Sequence, residues 1–423
     1  MKVMVVGSGG REHTLIWKIK QSPLVREIYC APGNAGISKE ATCVPIPVED
    51  IQGLLNFALN RGIDLTVVGP EAPLVSGIVD TFTEKGLKIF GPSQKASQLE
   101  GSKVFAKEIM NKYGIPTARS EVFTNSSLAL SYIHKIGVPI VVKAEGLAAG
   151  KGVVVAHTQT EATQAVQNIM ERKLFGEAGN RMVIEEYLEG EEVSVMSLTD
   201  SKDVRLLASA QDYKRVFDGD RGPNTGGMGA YSPAPVLTTY LTRRVKKEIF
   251  IPLIKGLNEE GIVYKGVIYA GLMITKTGPK VLEFNARFGD PECQVVILRL
   301  KNDLIPLLLA TLEGSLNQIR LRWSTNHALC VVLSSGGYPE SFEKGKTING
   351  LEIAESLTGV KIFHSGTTLI GKKIVSSGGR VLGITGMGST LKTAFVRAYS
   401  GVKAVSFEKA HYRKDIGYRA FKT

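Results

Sequence analysis

The 423-residue sequence has few cysteines, few aromatic residues and no long apolar run. Its four cysteines are scattered and form no Cys-x-x-Cys pair, which argues against a disulfide framework and against a zinc site. The longest apolar stretch, LIPLLLATL at 304–312, has about half of the ~20 residues that a membrane-spanning helix needs. The first residues also become glycine-rich too early for a secretory signal. We therefore expect a soluble cytoplasmic protein that makes no membrane contact.

The charge of the chain is strongly positive, at +12 with histidine neutral. A basic protein can bind nucleic acid, but aromatic residues make up only 7% and no run of lysine and arginine alternates with them. The composition therefore favours small anionic substrates over nucleic acid.

Hydrophobic periodicity divides the first 260 residues into regions. Strand and helix patterns alternate over residues 1–92, which predicts a doubly wound parallel α/β unit. We interpret GPSQKASQLEGSK at 91–103 as a connection. Closely spaced strand patterns between 118 and 200 predict an antiparallel sheet. A long helix is expected around 238–260, followed by two strands.

The pattern changes again after Trp323. Strands and glycine turns follow, with one helix expected near 390–400. This change predicts a separate C-terminal domain.

A glycine-rich turn, GSGGREH at 7–13, follows the first strand and opens a helix. It is similar to the dinucleotide-binding fingerprint, but Glu12 stands where the third glycine belongs. The second strand ends in CAPGN, without an acidic residue for a ribose hydroxyl. These differences argue against a nicotinamide cofactor. The free N–H groups at the start of the helix still suit a phosphate, and a tight turn without a ligand is the alternative.

A second glycine-rich segment, EGLAAGKGVVVA at 145–156, lies between two strand patterns and lacks the spacing of a P-loop. A hairpin of this kind with a central lysine, Lys151, can fold over phosphates, although such hairpins are usually plain turns. Lys143, inside the preceding apolar strand, costs free energy unless an anion pairs with it. Together the two lysines predict a triphosphate clamp.

Two further segments each allow two interpretations. GPNTGGMGAYSP at 222–233 is either a domain linker or a loop whose bare backbone lets a small substrate approach closely. The acidic segment IEEYLEGEEVS at 184–194 can hold adenine through its backbone and a ribose through a carboxylate, or it can simply be solvated.

The segment VLEFNARFGDPE at 281–292 carries the densest group of polar side chains. On a strand, Glu283, Asn285 and Arg287 share one face. A carboxylate and an amide oxygen suit magnesium, and an adjacent guanidinium can stabilise charge on a transferring phosphoryl group. The alternative is a solvent-facing polar strand with an ion pair. The intervening residues are expected to point into the core: Leu282, Phe284 and Ala286.

These features occur in a characteristic order: Lys103, Lys143, the glycine-rich hairpin around Lys151, the acidic segment and the Glu-x-Asn strand. The order resembles the ATP-grasp superfamily. Within it, ten motifs in order through nearly the whole chain resemble the phosphoribosylamine–glycine ligase family, and RFGDPE after EFN is highly specific. The motifs are GGREH, PGNAG, GPEAPLVSGIVD, FGPS, KAEGLAAGKGVVVA, QDYKR, GPNTGGMGAYSPAP, EFNARFGDPECQ, GGRVLGITGMG and YRKDIGYRA.

The resemblance implies a mixed α/β and α+β architecture in three domains. Residues 1–101 would form a doubly wound α/β substrate-binding domain, and residues 102–322 an ATP-grasp domain with a mobile subdomain at about 118–192. Residues 323–423 would form a small C-terminal α+β domain. We expect a monomer.

The reaction that the resemblance implies has two steps. ATP phosphorylates the carboxylate of glycine, and the amine of 5-phosphoribosylamine then attacks the glycyl phosphate. The products are glycinamide ribonucleotide, ADP and phosphate, in purine biosynthesis. An ATP-grasp ligase that acts on another carboxylate and amine is the main alternative.

The resemblance also implies roles for individual residues, with Arg287 and Lys151 as the catalytic pair. ATP would be bound by Lys103, Lys143, Gly150, Lys151, Gly152, the backbones of Glu186 and Leu188, and Glu192. The metal, Mg²⁺ or Mn²⁺, would be held by Glu283 and Asn285. Phosphoribosylamine would contact Gly9, Gly10, Glu71, Asp290 and Arg380, and glycine would contact Asp212, Asn224, Thr225 and Gly226, with Arg287 facing the reacting groups.

The chain departs from the expected pattern at two places. The strand VIYAGLMIT at 267–275 has no acidic residue where many ATP-grasp relatives place a further metal ligand. Tyr213, in QDYKR, stands where this family is expected to have histidine.

Overall fold

The computed structural model of the chain describes residues 1–146 and 152–421. Over residues 1–92, strands and helices alternate as the sequence predicts, and two further helices follow up to residue 112. The strands pair in the order β3-β2-β1-β4-β5 and all run parallel, which confirms the doubly wound unit. The elements are β1 (Lys2–Gly7), α1 (Gly10–Ile19), β2 (Glu27–Pro32), β3 (Thr42–Cys43), α2 (Ile51–Arg61), β4 (Leu65–Val68), α3 (Glu71–Val75), α4 (Ile78–Glu84), β5 (Ile89–Phe90), α5 (Gln94–Gly101) and α6 (Lys103–Lys112).

Helix α5 occupies the segment that we interpreted as a connection, so that interpretation was wrong. The hydroxyl of Ser93 caps the helix by accepting a hydrogen bond from the backbone N–H of Ala96. Ala96 and Leu99 are buried on its inner face. A serine cap before an apolar pair one turn apart was the local signal of a helix.

The next region forms a small antiparallel sheet with strand order β6-β9-β7-β8, covered by helices on one side. Thr158 and Glu161 form a capping box that starts one of these helices. The elements are β6 (Ser120–Phe123), α7 (Ser126–Ile136), β7 (Ile140–Ala144), β8 (Val153–Ala156), α8 (Gln159–Val166) and β9 (Met182–Glu186).

The chain then crosses into a second antiparallel sheet, ordered β11-β10-β16-β17. The strands predicted between 118 and 200 therefore belong to two sheets rather than one. The helix expected at 238–260 is confirmed as α9 and α10, joined by a π-helical turn. The elements are β10 (Glu191–Thr199), β11 (Val204–Leu206), β12 (Gln211–Asp212), β13 (Arg215–Phe217), β14 (Arg221–Asn224), β15 (Gly229–Ser232), α9 (Thr239–Val245), α10 (Ile251–Glu259), β16 (Gly266–Thr275), β17 (Gly278–Asn285), α11 (Glu292–Arg299) and α12 (Leu304–Glu313).

The last hundred residues form an antiparallel sheet that includes two earlier strands, in the order β12-β15-β18-β22-β19. Helix α14 appears where the sequence predicts it, and α13 is an additional short helix. The elements are β18 (His327–Ser334), α13 (Leu351–Ser356), β19 (Val360–His364), β20 (Thr367–Ile370), β21 (Lys373–Ser376), β22 (Arg380–Gly388) and α14 (Leu391–Ala404).

The largest apolar cluster joins the N-terminal sheet to the later parts of the chain. It packs Val5 and Ile16 against Val296, Leu308 and Cys330. Burial of this contiguous surface fixes the N-terminal sheet, α11, α12 and β18 around a shared cleft. Across residues 1–146 and 152–421, no helix combines the length and the apolarity needed to cross a membrane.

Candidate active site

A cleft of about 630 Å³ lies where these sheets meet. Residues from distant parts of the sequence line it, including most of the predicted site residues. The predicted residues in the lining are Glu71, Lys103, Lys143, Gly152, Asp212, Asn224, Thr225, Gly226, Glu283, Asn285, Arg287, Asp290 and Arg380.

The remaining predicted residues lie around this cleft or outside the described chain. Gly9 borders the cleft, since a Cβ atom placed on it would lie 3.6 Å from Oδ2 of Asp290. Leu188 packs with Ala118 and Met273 against partly buried Leu282. The other three described residues are Gly10 at the start of α1, Glu186 at the end of β9 and Glu192 at the start of β10. Gly150 and Lys151 lie outside the described residues.

Strand β17 carries the predicted metal ligands, but its geometry differs from a regular strand. Glu283 is opposite Gly271 while Val281 is opposite Leu272, so Leu282 is an extra residue in a β-bulge. The bulge turns Leu282 toward the cleft, and its predicted core position was therefore wrong. The core positions of Phe284 and Ala286 are confirmed. The strand ends at Asn285, so Arg287 follows it rather than sharing its face.

Lys214 is the cation nearest to the predicted metal ligands. Its Nζ lies 3.3 Å from Oε1 of Glu283 and 3.6 Å from Oε2 of Glu192. The Lys214 charge lowers the pKa of Glu283 to about 2 against the effect of burial, so this carboxylate is ionised.

The donor set of Glu283 and Asn285 fits a hard divalent cation. One carboxylate and one amide oxygen are available, and the facing residue of β16 is Gly271. In the described part of the chain no three His, Cys, Asp or Glu side chains form a group that could hold a metal. Water and ligand oxygens would have to complete the coordination, which is typical of magnesium.

Lys143 has a protein anion as its partner. Its Nζ lies 2.9 Å from Oε1 of Glu185 and donates to the carbonyl of Leu282 at 3.0 Å. Lys107 approaches the same carboxylate oxygen at 3.4 Å, and its burial lowers its pKa to about 8. Glu185 therefore supplies the anion that a buried lysine needs here, and the triphosphate clamp stays a prediction. One carboxylate balances two ammonium groups, so the group keeps an excess positive charge that suits a phosphate.

Arg287 is held between two carboxylates. Its Nε donates to Oε2 of Glu71 at 3.2 Å, and Nη2 lies 3.0 Å from Oε1 of Glu100. Burial alone would raise the pKa of Glu71, but Arg287 and Arg11 lower it to about 2. The second oxygen of Glu100 accepts the backbone N–H of Ala286 at 2.6 Å. An ion pair was the alternative explanation for the polar residues of 281–292, and such an ion pair is present, inside the cleft.

Two buried carboxylates, Asp212 and Glu292, line one end of the cleft. Burial raises the pKa of Asp212 to about 7, with Lys214 opposing and Glu292 adding to the shift. Glu292 accepts hydrogen bonds from the hydroxyls of Ser194 and Tyr269, at 3.0 and 2.8 Å. This end of the cleft is therefore electrostatically suited to a small cation such as an ammonium group.

Arg380 ties the C-terminal sheet to two loops at the cleft. Its Nη1 donates to the carbonyls of Gly226 and Asp290 at 2.8 and 2.7 Å, and Nη2 donates to Oδ2 of Asp290 at 3.0 Å. Nearby, the N–H of Gly9 donates to Glu12 at 2.6 Å. The N–H of Gly9, expected to be free at this turn, is therefore bonded to Glu12, the residue at the position of the third glycine of the fingerprint.

Five charged residues of the cleft were missed by the sequence reasoning. Some signals existed, since Lys107 is one helical turn after Lys103 and Lys214 is part of QDYKR. Glu100 had none, because its segment was not recognised as a helix. The missed residues are Arg11, Glu100, Lys107, Glu185 and Lys214, whereas Glu292 belongs to the polar segment that the sequence analysis singled out.

Replacement of Glu185 by Gln should destabilise the protein by about 3 kcal/mol or more. The change leaves the buried ammonium groups of Lys107 and Lys143 without a counter-charge, and a broken buried ion pair costs about this amount. Thermal and denaturant unfolding measure the effect. Glu121→Gln, on the adjacent exposed strand β6, is the control. Equal stability of the two variants would contradict the described role of Glu185.

Models of the phosphoribosylglycinamide synthetase family match three successive parts of the chain. The N domain matches residues 1–100, the ATP-grasp (A) domain residues 101–293 and the C domain residues 328–419. The phosphoribosylamine–glycine ligase of Escherichia coli K12 is 51% identical over 424 residues, covering 99% of each chain. The Brucella melitensis enzyme of the same name is 50% identical over 420 residues, covering 99% of this chain and 98% of the relative.

Solved structures agree with these matches. The crystal structure of Thermotoga maritima phosphoribosylamine–glycine ligase superposes with a TM-score of 0.86 at 34% identity, covering 99% of this chain and 100% of the other. The biotin carboxylase domain of Hydrogenobacter thermophilus 2-oxoglutarate carboxylase, solved with MgADP, gives 0.73 at 18% identity, covering 97% and 91%. The second likeness shows a shared fold alone.

Proposed function

The chain belongs to the phosphoribosylglycinamide synthetase (phosphoribosylamine–glycine ligase) family, and we propose how its cleft divides the work of that family's reaction. The protein is an ATP-dependent ligase that joins glycine to 5-phosphoribosylamine in purine biosynthesis. We assign the reaction to this cleft because one set of lining residues includes paired lysines, the Glu283 and Asn285 oxygens, Arg287 and two buried carboxylates.

ATP is bound along the wall formed by α6, β7 and the segment after β9. Lys103 and Lys143 contact its phosphates. In support, Nζ of Lys103 bonds only to the carbonyls of Gly146 and Glu145, at 2.8 and 3.3 Å, among the contacts of the described chain, and phosphate oxygens can replace these. Gly150, Lys151 and Gly152 also bind the phosphates.

The nucleoside of ATP lies beside the apolar group formed by Ala118, Leu188, Met273 and Leu282. The flat apolar contact suits adenine. The backbones of Glu186 and Leu188 recognise its polar edge, and Glu192 binds the ribose hydroxyls.

Glu283 and Asn285 would hold the divalent cation, Mg²⁺ or Mn²⁺. When bound, the cation neutralises charge on the phosphates and orients the transferring group. The ionised state of Glu283 supports this role. Lys214, whose ammonium lies beside Glu283, exchanges this carboxylate for phosphate oxygens when the nucleotide binds.

Glycine binds at the end of the cleft that carries Asp212 and Glu292. Its ammonium pairs with the carboxylates, and the backbone of Asn224, Thr225 and Gly226 encloses its small body. Its carboxylate then faces Arg287, which stabilises the charge that develops as the phosphoryl group is transferred.

Phosphoribosylamine enters from the N-terminal domain. Gly9 and Gly10 at the start of α1, with Arg380, form the positive side of its site. Glu71 and Asp290 accept hydrogen bonds from its hydroxyls. This arrangement directs the amine toward the glycyl phosphate, so that C–N bond formation expels phosphate.

We also propose the domain boundaries, the cellular location and the oligomeric state. The substrate-binding, ATP-grasp and C-terminal domains correspond to 1–101, 102–322 and 323–423, with 118–192 moving as a subdomain. The enzyme acts in the cytoplasm and as a monomer, without nucleic acid.

The direct test of the function is release of ADP with fresh phosphoribosylamine. ADP should form only when ATP, glycine and phosphoribosylamine are all present. Formation with another amino acid or another amine, but not with these, would identify an ATP-grasp ligase of different specificity.

Glu283→Ala should keep the fold and abolish ADP formation. The change removes the carboxylate that positions the metal. Turnover against magnesium concentration, with the melting temperature, measures the effect. Glu313→Ala, at an exposed surface pair with Lys88, serves as the control. Normal turnover of Glu283→Ala at modest magnesium would refute the metal assignment.

Arg287→Lys should lower turnover by about 100-fold or more, with the KM for ATP little changed. A lysine is a point charge and cannot hold two oxygens as a planar guanidinium does, so a preorganised transition-state donor is lost. Arg26→Lys, at an exposed position, is the control. If Arg287→Lys stays active and Arg287→Ala lowers only the melting temperature, Arg287 merely braces Glu71 and Glu100.

The value of kcat/KM for glycine should rise with pH and level off above about 7. Asp212 is neutral below its pKa of about 7 and ionised above it, and only the ionised form attracts the glycine ammonium. Asp212→Asn should lower kcat/KM and remove this inflection. Burial also raises the pKa of Glu100 to about 7, but Glu100 contacts Arg287 rather than the glycine ammonium, so Glu100→Gln should retain the inflection. An unchanged inflection in Asp212→Asn would contradict the assignment.

A further inference from the structure

A segment close to the C-terminus packs against a hairpin beside the glycine-binding end of the cleft. We call residues 412–419 the C-terminal strap. The hairpin consists of β13 and β14, and it connects Asp212 and Lys214 to Asn224 and Thr225. The contacts between strap and hairpin are unusually rich in charge.

Arg413 is the centre of these contacts. Its side chain has no solvent exposure, yet it carries a full charge. Nη1 donates to Oδ1 of Asp220 at 2.8 Å and to the carbonyl of Arg215 at 3.1 Å. Nε and Nη2 donate to the two oxygens of Asp415, both at 2.8 Å. A guanidinium with this many partners fixes the strap on the hairpin.

Asp220 receives bonds from three strap residues. Besides Arg413, Nη2 of Arg419 donates to its Oδ2 at 2.8 Å, and the hydroxyl of Tyr418 donates to the same oxygen at 2.5 Å. Asp220 also has a φ of 55°, in the left-handed region that a non-glycine residue rarely adopts. The strap therefore stabilises a strained turn at the tip of the hairpin.

The strap also reaches the other end of the hairpin. Nη1 of Arg419 donates to the carbonyl of Asp212 at 3.2 Å. The guanidinium groups of Arg413 and Arg419 both contact the ring of Tyr213, at 4.8 and 4.6 Å from its centroid. Its hydroxyl accepts the backbone N–H of Gly417 at 2.9 Å. Tyr213, which stands where histidine is expected, therefore contacts residues of the strap on two sides: through its ring and through its hydroxyl.

Strand alternation places the strap behind the site. Asp212 and Lys214 line the cleft, and Tyr213 between them points to the other side. Among the described residues that line the cleft, none belongs to the strap. Any influence on substrate binding must therefore pass through the backbone of 212–226.

We propose that Arg419, with Asp220, Arg413 and Tyr213, is a positioning residue that sets the glycine-binding end of the cleft by clamping the hairpin from behind. This inference rests on the proposed function, because it takes Asp212 and 224–226 as the glycine site. Loss of the clamp loosens both ends of the hairpin and leaves the ATP wall, on α6 and β7, unchanged.

The test compares Arg419→Gln with Lys414→Gln, an exposed position in the same strap. Arg419→Gln should raise the KM for glycine about 10-fold, as expected for ~1.4 kcal/mol of lost binding, with the KM for ATP changed less than about twofold. Asp220→Asn should act in the same way, and the double variant should add little, because both remove one network. Arg419→Lys, which keeps the charge toward Asp220, should recover part of the loss.

Hydrogen exchange of the backbone amides in 212–226 separates this inference from the proposed function. Exchange there should be faster in Arg419→Gln than in Lys414→Gln, with β7 and α6 unchanged. Equal exchange, or a parallel rise of the KM for glycine and ATP, would overturn the positioning role. A wild-type enzyme that releases no ADP in response to glycine would refute the function, while the exchange rates would still decide the role of the strap.

Discussion

Compensation of charge in a partly buried cleft is the constraint on which the arrangement of this protein depends. Charged side chains out of water are costly unless they are paired, and the cleft contains ammonium, guanidinium and carboxylate groups from distant parts of the chain. Several are matched by a neighbour: Lys143 by Glu185, Lys214 by Glu283, Arg287 by Glu71 and Glu100. The sheets must meet in one orientation for these pairs to form.

The same pairing explains how the cleft can accept highly charged ligands. ATP and a divalent cation carry charges of opposite sign. The phosphates can therefore pair with ammonium groups of the cleft, and the cation with its carboxylates, in place of the ion pairs within the protein. Lys214 illustrates this exchange, since its ammonium lies close to the carboxylates of both Glu283 and Glu192. Asp212 differs, because burial and the nearby Glu292 charge oppose its ionisation more than Lys214 favours it, so an incoming ammonium is stabilised there.

Sequence periodicity was sufficient for the parallel N-terminal sheet and for the long helix of α9 and α10, because both repeat a local pattern. It failed at α5, whose polar composition conceals a helix, and at β9 and β10, which are adjacent in sequence but belong to different sheets. The bulge at Leu282 depends on pairing with β16 and has no local signature. For the cleft, the sequence predicted that Lys143 needs an anion, but only tertiary contacts identify Glu185. The partners of Arg287 lie almost 200 residues away or more in the sequence, beyond any pattern of spacing.

The central claim, that glycine is activated as an acyl phosphate in this cleft, has a direct isotopic test. Glycine labelled with ¹⁸O in both carboxylate oxygens is incubated with enzyme, ATP and phosphoribosylamine, and the products are analysed by mass spectrometry. Phosphorylation of the carboxylate followed by attack of the amine breaks the C–O bond to the phosphate. We predict one labelled oxygen in each phosphate released and one in the glycinamide product. Phosphate without label would contradict the account.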